Sequence, residues 1–374
     1  MINKQKPMAW YANDLATDDS WVLKLSAEEI EGFDFALDHA KKQGKPYLSM
    51  TASDFPLPVA SRSRLQQAFD ATQGRWGMCL LKGFPVTRWS EDDVRLAYWG
   101  IGLHCGVART QNKQSQFIND VRDTGGVYRE KNGRGYNTNA GLDFHIDSCD
   151  VVALLCRRTA KLGGHSKVTS SIALRDEVHR LRPDLVSVLE QPFYHSYQGA
   201  QGPGLPDYYK CPVFGNHPEY FSLRSNRKTM LSAQQNFPEV PRFTPQQIDA
   251  LDLLDKLLPD PKLCYAMDLE PGDLQLLNNY VAIHARTNFE DHEEHDAKRH
   301  LLRLWLAIPQ SQPLPDDWKE YYSDVRAGAV RGGLRGSAMT QAFLEYEKRQ
   351  AMAMGMPLVQ PEAESNTWHF LPKF

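Results

Sequence analysis

A chain of 374 residues with 41% hydrophobic and 24% charged side chains can bury a sizeable core and has the balance of an ordinary globular protein. Its formal net charge of −3 gives no support for an electrostatic nucleic-acid binder, which normally shows a basic face. Its apolar runs, such as VVALLC, fall far short of the ~20 residues that span a bilayer.

The opening MINKQKPMAWYAND lacks the apolar stretch of a signal peptide, and no two of the six cysteines have C-x-x-C spacing. A cytoplasmic protein with reduced thiols is therefore expected, without nucleic-acid or membrane partners. Residues 1–60 are mixed in character and end in several prolines; they read as an arm packed on one main domain, 61–374. Ser61–Gly74 reads as a helix stopped by glycine, and residues 76–84 as a strand. Ser90 opens SEDDVRLAYWGIG, where S-x-x-D ahead of an apolar-periodic run is a helix-capping signature. Residues 106–143 are rich in Gly, Asn, Arg and Gln with little periodicity, which suggests a long functional loop. FHIDSCDVVALLC (144–156) reads as a strand, followed by a turn at Gly163–Gly164. Ile172–Leu189 is helical, with a break before Pro183. Thr244 and Pro245 start another helix with Ile248, Leu251, Leu254 and Leu258 on its apolar face. The last third returns to strands: KLCYAMDLE, a PGD turn, LQLLNNYVAIHA and RHLLRLWLAI. Short strands separated by turns, with helices inserted, predict a mainly β core of the jelly-roll, cupin-like kind, flanked by α-helices. No phosphate-binding glycine loop and no G-x-S-x-G occurs.

His145 and Asp147 form H-x-D in the 144–156 strand, where residues two apart share a face. With 12 histidines, about one such pair arises by chance, and the plain alternative is a hydrogen-bonded His–Asp pair. The competing H-x-E at 292–294 sits in a charged run that reads as a solvated loop. His284, at the end of a core strand, is the natural third ligand; an ordinary hydrogen-bonding histidine is the alternative. In RHLLRLWLAI, alternation places Arg299, Leu301, Arg303 and Trp305 on one face and His300, Leu302, Leu304 and Leu306 on the other. Two arginines on a strand with buried neighbours call for an anion, either a protein carboxylate or an acidic ligand; the plain alternative is that one meets a structural Asp or Glu and the other reaches out to solvent.

FHID, the GGHS turn at 163–166, PGDLQLLNN (271–279), His284 and RHLLR (299–303) together resemble the taurine dioxygenase/clavaminate synthase-like family of Fe(II)- and 2-oxoglutarate-dependent oxygenases. The resemblance runs from about residue 76 to 336 and implies a double-stranded β-helix. It implies that His145, Asp147 and His284 hold iron. Arg299, fifteen residues after His284, would bind the far carboxylate of 2-oxoglutarate. Ser166 stands where the family often has a threonine that touches the same carboxylate. Arg303 matches a second arginine near the other carboxylate or an anionic group of the substrate. A two-histidine, one-carboxylate face leaves room on octahedral Fe(II) for a chelating 2-oxo acid and O2. Halogenating relatives replace the carboxylate with a small residue; Asp147 is retained, so hydroxylation, desaturation or ring formation is expected, with succinate and CO2 released. The substrate is expected to be a small polar metabolite, amino-acid-like or otherwise anionic, with candidate contacts Gln111, Asn112, Arg134, Tyr136 and Asn137 besides Arg303. A carrier-tethered substrate and a homo-oligomer remain open. Two rival classes are a metal-dependent hydrolase and a non-catalytic binding protein on a cupin-like barrel. The hydrolase leaves Arg299 unexplained, and an inactive protein has no reason to keep the triad.

Overall fold

The computed structural model describes residues 6–359 apart from 129, 131, 132, 134, 203 and 335–339. Its two main sheets use β1 (Val22–Lys24), β2 (Met78–Lys82), β3 (Val107–Arg109), β4 (Ile118–Val121), β5 (Leu142–His145), β6 (Val151–Arg158), β7 (Ser166–Ser170), β8 (Cys264–Met267), β9 (Leu274–Asn278), β10 (Ala282–Arg286) and β11 (His300–Ala307). The larger, seven-stranded sheet runs β1-β2-β9-β6-β11-β3, with β4 also paired to β11; the smaller runs β8-β7-β10-β5. Only β1 and β2 pair in parallel; the other ladders are antiparallel.

Side-chain alternation sets the layers. Val151, Ala153 and Leu155 of β6, with Leu302, Leu304 and Leu306 of β11, face outward onto helices Ala27–Gln43, Val59–Ala71 and Glu91–Cys105. Val152 and Cys156, with Leu301 and Trp305, face inward and meet Val168, Met267 and Ala282 from the smaller sheet. On that sheet's outer face, Ile283 packs into a cluster with Leu174 and Val178 of helix Ser171–Leu181 and Leu251 and Leu254 of helix Pro245–Leu257. The result is the expected jelly-roll core between helical layers, although the sheets do not close into a barrel. Among the described residues no helix is long and apolar enough to cross a membrane, and all six cysteines are unpaired.

The helix signals act as read. Ser90 accepts the Asp93 N–H at 3.1 Å, Thr244 accepts that of Gln247 at 3.2 Å, and the 171–181 helix stops ahead of Pro183. Ile248 is 41% exposed, however; Ala250 and Leu257 complete the buried face instead. The 106–143 segment is also more ordered than a loop: β3 and β4 lie in it, too short for periodicity to reveal them.

The two longest predicted strands are each broken at the junction of the sheets. FHIDSCDVVALLC divides into β5 of the smaller sheet and β6 of the larger, and LQLLNNYVAIHA divides into β9 and β10. Asp150 holds both breaks: its Oδ1 accepts from Tyr280 Oη (2.6 Å) and Arg331 Nε (2.7 Å), and its Oδ2 accepts the Ile308 N–H (3.0 Å). Arg331 and Asp150 are each 1% exposed. Arg331→Met leaves the Asp150 carboxylate buried without its cation, so we expect a loss of about 3–5 kcal/mol in unfolding free energy, measured by denaturant titration.

Candidate metal and cosubstrate site

The breaks bring three ligand-type side chains together. His145 closes β5, Asp147 lies in the crossing to β6, and His284 stands opposite His145 in β10. Their ligand atoms lie within 4.8 Å of one another. Each histidine Nε2 is 3.8 Å from a different Asp147 oxygen. The shared strand face expected for His145 and Asp147 is not what unites them, because β5 ends at His145. Asp147 is turned inward by its backbone N–H, which donates to Asn279 Oδ1 at 3.3 Å.

The protonation states suit metal binding. His145 Nδ1 sits 2.9 Å from the Asp143 carbonyl, so this nitrogen carries the proton and Nε2 keeps its lone pair. Burial, then the neighbouring His145, pushes the His284 pKa down to about 3, which leaves a neutral imidazole. Burial raises the Asp147 carboxyl, but its surroundings, Arg303 foremost, outweigh burial and hold it below the usual range. Trp305 Nε1 donates to Asp147 Oδ2 at 3.0 Å, and Arg303 Nη1 lies 3.3 Å from both oxygens. Arg303 Nε also donates to Gln111 Oε1 at 2.7 Å, so this arginine already has a protein carboxylate and an amide. Trp305→Phe removes one orienting donor; we expect Fe(II) affinity to fall roughly 10–100-fold in an anaerobic titration.

No fourth side-chain ligand joins the three among the described residues, so the set is open, unlike a closed structural zinc site. A second cluster, Glu91, Asp120 and His300, is already neutralised: Arg157 pairs with Glu91 at 2.9 Å and Arg95 with Asp120. The H-x-E glutamates, Glu293 and Glu294, are exposed, as read from the sequence.

A cavity of ≈ 170 Å³ opens beside the triad. Arg299 lines it, 5% exposed, with no hydrogen-bond partner for Nη1 among the described residues. Burial pulls its pKa down to about 10 despite the nearby Asp291, whose Oδ1 accepts the Arg299 backbone N–H at 2.7 Å. Gly164, at φ +76°, makes room for it: a Cβ there would stand 2.9 Å from Arg299 Nε. Ser166 lines the same cavity and donates to Gln275 Oε1 at 3.0 Å. Arg286, two residues after His284, lines it too. Its Nη2 donates to the Thr138 and Ala140 carbonyls at 2.7 and 2.5 Å. Burial, then Arg299, lowers its pKa to about 9.

Of the candidate substrate contacts, Gln111 and Tyr136 line the cavity, and the Tyr136 ring lies 5.8 Å from Arg303 Cζ. Asn112 does not. Its Oδ1 accepts the Gln114 and Gln116 N–H groups at 3.1 and 3.2 Å, which closes its own turn. Asn137 is also absent from the lining, and Arg134 lies outside the described residues. Trp305 as a donor to Asp147, Arg286 and Arg224 were missed. The two-residue step from Arg303 and from His284 could have found the first two; nothing local marks Arg224.

The profile of the taurine catabolism dioxygenase TauD, TfdA family matches residues 41–305. The chain belongs to this family. Among curated relatives, FR-33289 synthase of Streptomyces rubellomurinus is 30% identical over 332 residues, covering 86% of this chain and 95% of the relative. A taurine hydroxylase-like protein, SAT17, of Stachybotrys chartarum is 24% identical, covering 79% and 78%. Among solved structures, asparagine oxygenase in complex with Fe(II), 2S,3S-3-hydroxyasparagine and succinate superposes with a TM-score of 0.58 at 18% identity, covering 76% of this chain and 93% of that one. The non-heme iron oxygenase OrfP with Fe and alpha-ketoglutaric acid gives 0.56 at 15% identity, with the same coverage. The TauD/TfdA protein described here is an Fe(II)- and 2-oxoglutarate-dependent dioxygenase.

Proposed function

We propose that this dioxygenase binds Fe(II) through His145, Asp147 and His284, binds 2-oxoglutarate through Arg299 and Ser166, and hydroxylates a C–H bond of a small polar metabolite. The observation that carries the reading is the shared cavity. An open two-histidine, one-carboxylate face lies beside a buried guanidinium whose Nη1 has no partner. The bound iron supplies the oxidant from O2, coupled to conversion of 2-oxoglutarate into succinate and CO2. The chain's own groups do the placing. Asp143 fixes the His145 tautomer, Trp305 and Arg303 orient the Asp147 carboxylate, and Arg299 takes the far carboxylate of the cosubstrate in a two-pronged grip. The apolar walls, Leu154, Leu269 and Leu301 among them, keep the reacting groups out of bulk water.

Relatives support a small, polar substrate. One curated relative, at 26% identity over 199 residues, is a uridine-5'-phosphate dioxygenase of an Amycolatopsis species, and structures of OrfP hold hydroxylated L-Arg. Retention of Asp147 favours hydroxylation over halogenation. The test is an anaerobic visible titration of the apoprotein with Fe(II) and then 2-oxoglutarate. A weak charge-transfer band that needs both additions is expected. If 2-oxoglutarate neither binds nor produces a band, the assignment of these residues fails.

A further inference from the structure

A second arginine faces the cavity from another wall, and the proposed chemistry does not use it. Arg224 is 4% exposed. Its Nη1 donates to the Ile146 carbonyl at 3.1 Å and its Nη2 to Tyr209 Oη at 2.6 Å, while its Nε has no partner. Three aromatic rings surround the guanidinium: Tyr321, Tyr209 and Tyr322 have centroids 4.2, 5.7 and 6.0 Å from Cζ. Tyr209 and Tyr321 stack at 4.1 Å, so the cage is rigid. His195, stacked on Tyr209 at 5.0 Å, is pushed down to about 3 by burial and then by Arg224; it is neutral and adds no charge. Cation–π contacts and neutral acceptors soften the burial of a guanidinium, but they do not neutralise it.

Charge across the cavity points the same way. Its described lining carries five basic side chains (Arg224, Lys228, Arg286, Arg299 and Arg303) and one carboxylate, Asp147. Asp147 is matched by Arg303, and iron would add two further positive charges. The two carboxylates of 2-oxoglutarate are taken up at the iron and at Arg299. Arg224 and Arg286 then remain with no carboxylate paired to them among the described residues, and Arg224 faces the space left for the substrate. A neutral substrate would leave that imbalance buried; an acidic one would remove it.

We propose that Arg224 is the substrate-recognition residue of this oxygenase and binds an anionic oxyacid group, a carboxylate or a phosphoryl group, on the molecule to be oxidised. The proposal rests on the iron and 2-oxoglutarate reading above and deepens it. Ile146 directly precedes Asp147, so the Nη1 bond fixes the anchored end of the substrate relative to a proposed iron ligand.

The test uses three probes with matched chains, n-butylphosphonate, pentanoate and 1-pentanol, titrated calorimetrically into the anaerobic enzyme holding Fe(II) and saturating 2-oxoglutarate. At least one acid should bind about tenfold or more tighter than the alcohol, as expected for one charge-assisted contact. The ranking of the two acids identifies the oxyacid. In Arg224→Gln the preference for the acid should disappear, and Arg224→Lys should restore part of it, while both variants keep the charge-transfer band. A structural role alone would not move head-group preference while sparing the band. Equal binding of alcohol and acids, no detectable binding of either acid, or an unchanged preference in Arg224→Gln would overturn the proposal. Absence of the band in the unmodified protein would instead defeat the underlying iron and cosubstrate reading.

Discussion

His145→Ala should yield a folded protein with no charge-transfer band on addition of Fe(II) and 2-oxoglutarate, and no succinate above the enzyme-free background. The side chain is 16% exposed and lines the cavity; it holds the 2.9 Å bond to the Asp143 carbonyl and packs against the His284 ring at 4.4 Å, so its removal enlarges an existing cavity rather than opening a closed void. What it removes is one of the three proposed protein ligands. A two-ligand site has neither the affinity nor the fixed face needed to hold an octahedral ion with its remaining positions aimed at cosubstrate. Circular dichroism and melting of the variant separate loss of the site from loss of the fold. Survival of the band would move the metal away from this triad. The alternative cluster at Glu91, Asp120 and His300 is a poor destination, because Arg95 and Arg157 already occupy its carboxylates.

Arg299→Met should raise the Kd for 2-oxoglutarate while leaving Fe(II) affinity nearly unchanged. Truncating one partner of a buried charge pair weakens binding by about 2–5 kcal/mol, or roughly thirty- to several-thousand-fold. Arg299→Lys keeps the charge but loses the planar fork, and should recover only part of that loss. Arg286, which also lines the cavity, is tied by Nη2 to two backbone carbonyls of the 138–140 segment, while its Nε and Nη1 have no partner among the described residues, so the residual affinity of the Met variant measures how far it can stand in. Equal cosubstrate affinity in the Met variant and the parent protein would exclude Arg299 as the carboxylate anchor.

The sequence was most informative where function depends on residue type at short range. The H-x-D spacing marked His145 and Asp147 as candidates, although through a shared strand face they do not have; alternation on β11 marked Arg299 and Arg303, and Ser90 and Thr244 marked the helix starts. It was least informative where distant partners decide. The break after His145 depends on Asp150, whose cation, Arg331, lies 181 residues further along the chain. Arg224 sits in FSLRSN, which gives no sign that Tyr209 and Tyr321 will close around it. Asn112 shows a different failure. It and Gln111 are polar neighbours in one loop, yet an Asx turn consumes Asn112 while Gln111 reaches Arg303. That turn is a local pattern and was within reach of closer reading.

The two chain crossings that carry the triad have a consequence for how the protein comes apart. Asn279, in the crossing from β9 to β10, accepts from the Asp147 backbone and donates to Cys149 Sγ at 2.9 Å, so each crossing is stitched to the other. An ion held as proposed, by His145 and Asp147 on one side and His284 on the other, would act as a clasp between layers that share no continuous strand. At free Fe(II) one hundred times its Kd, the clasp is worth about 2.7 kcal/mol. Neither sheet can then fray at this end without expelling the metal, so the metal-loaded enzyme resists proteases here, and a chelator or iron oxidation lowers that resistance along with the catalytic capacity.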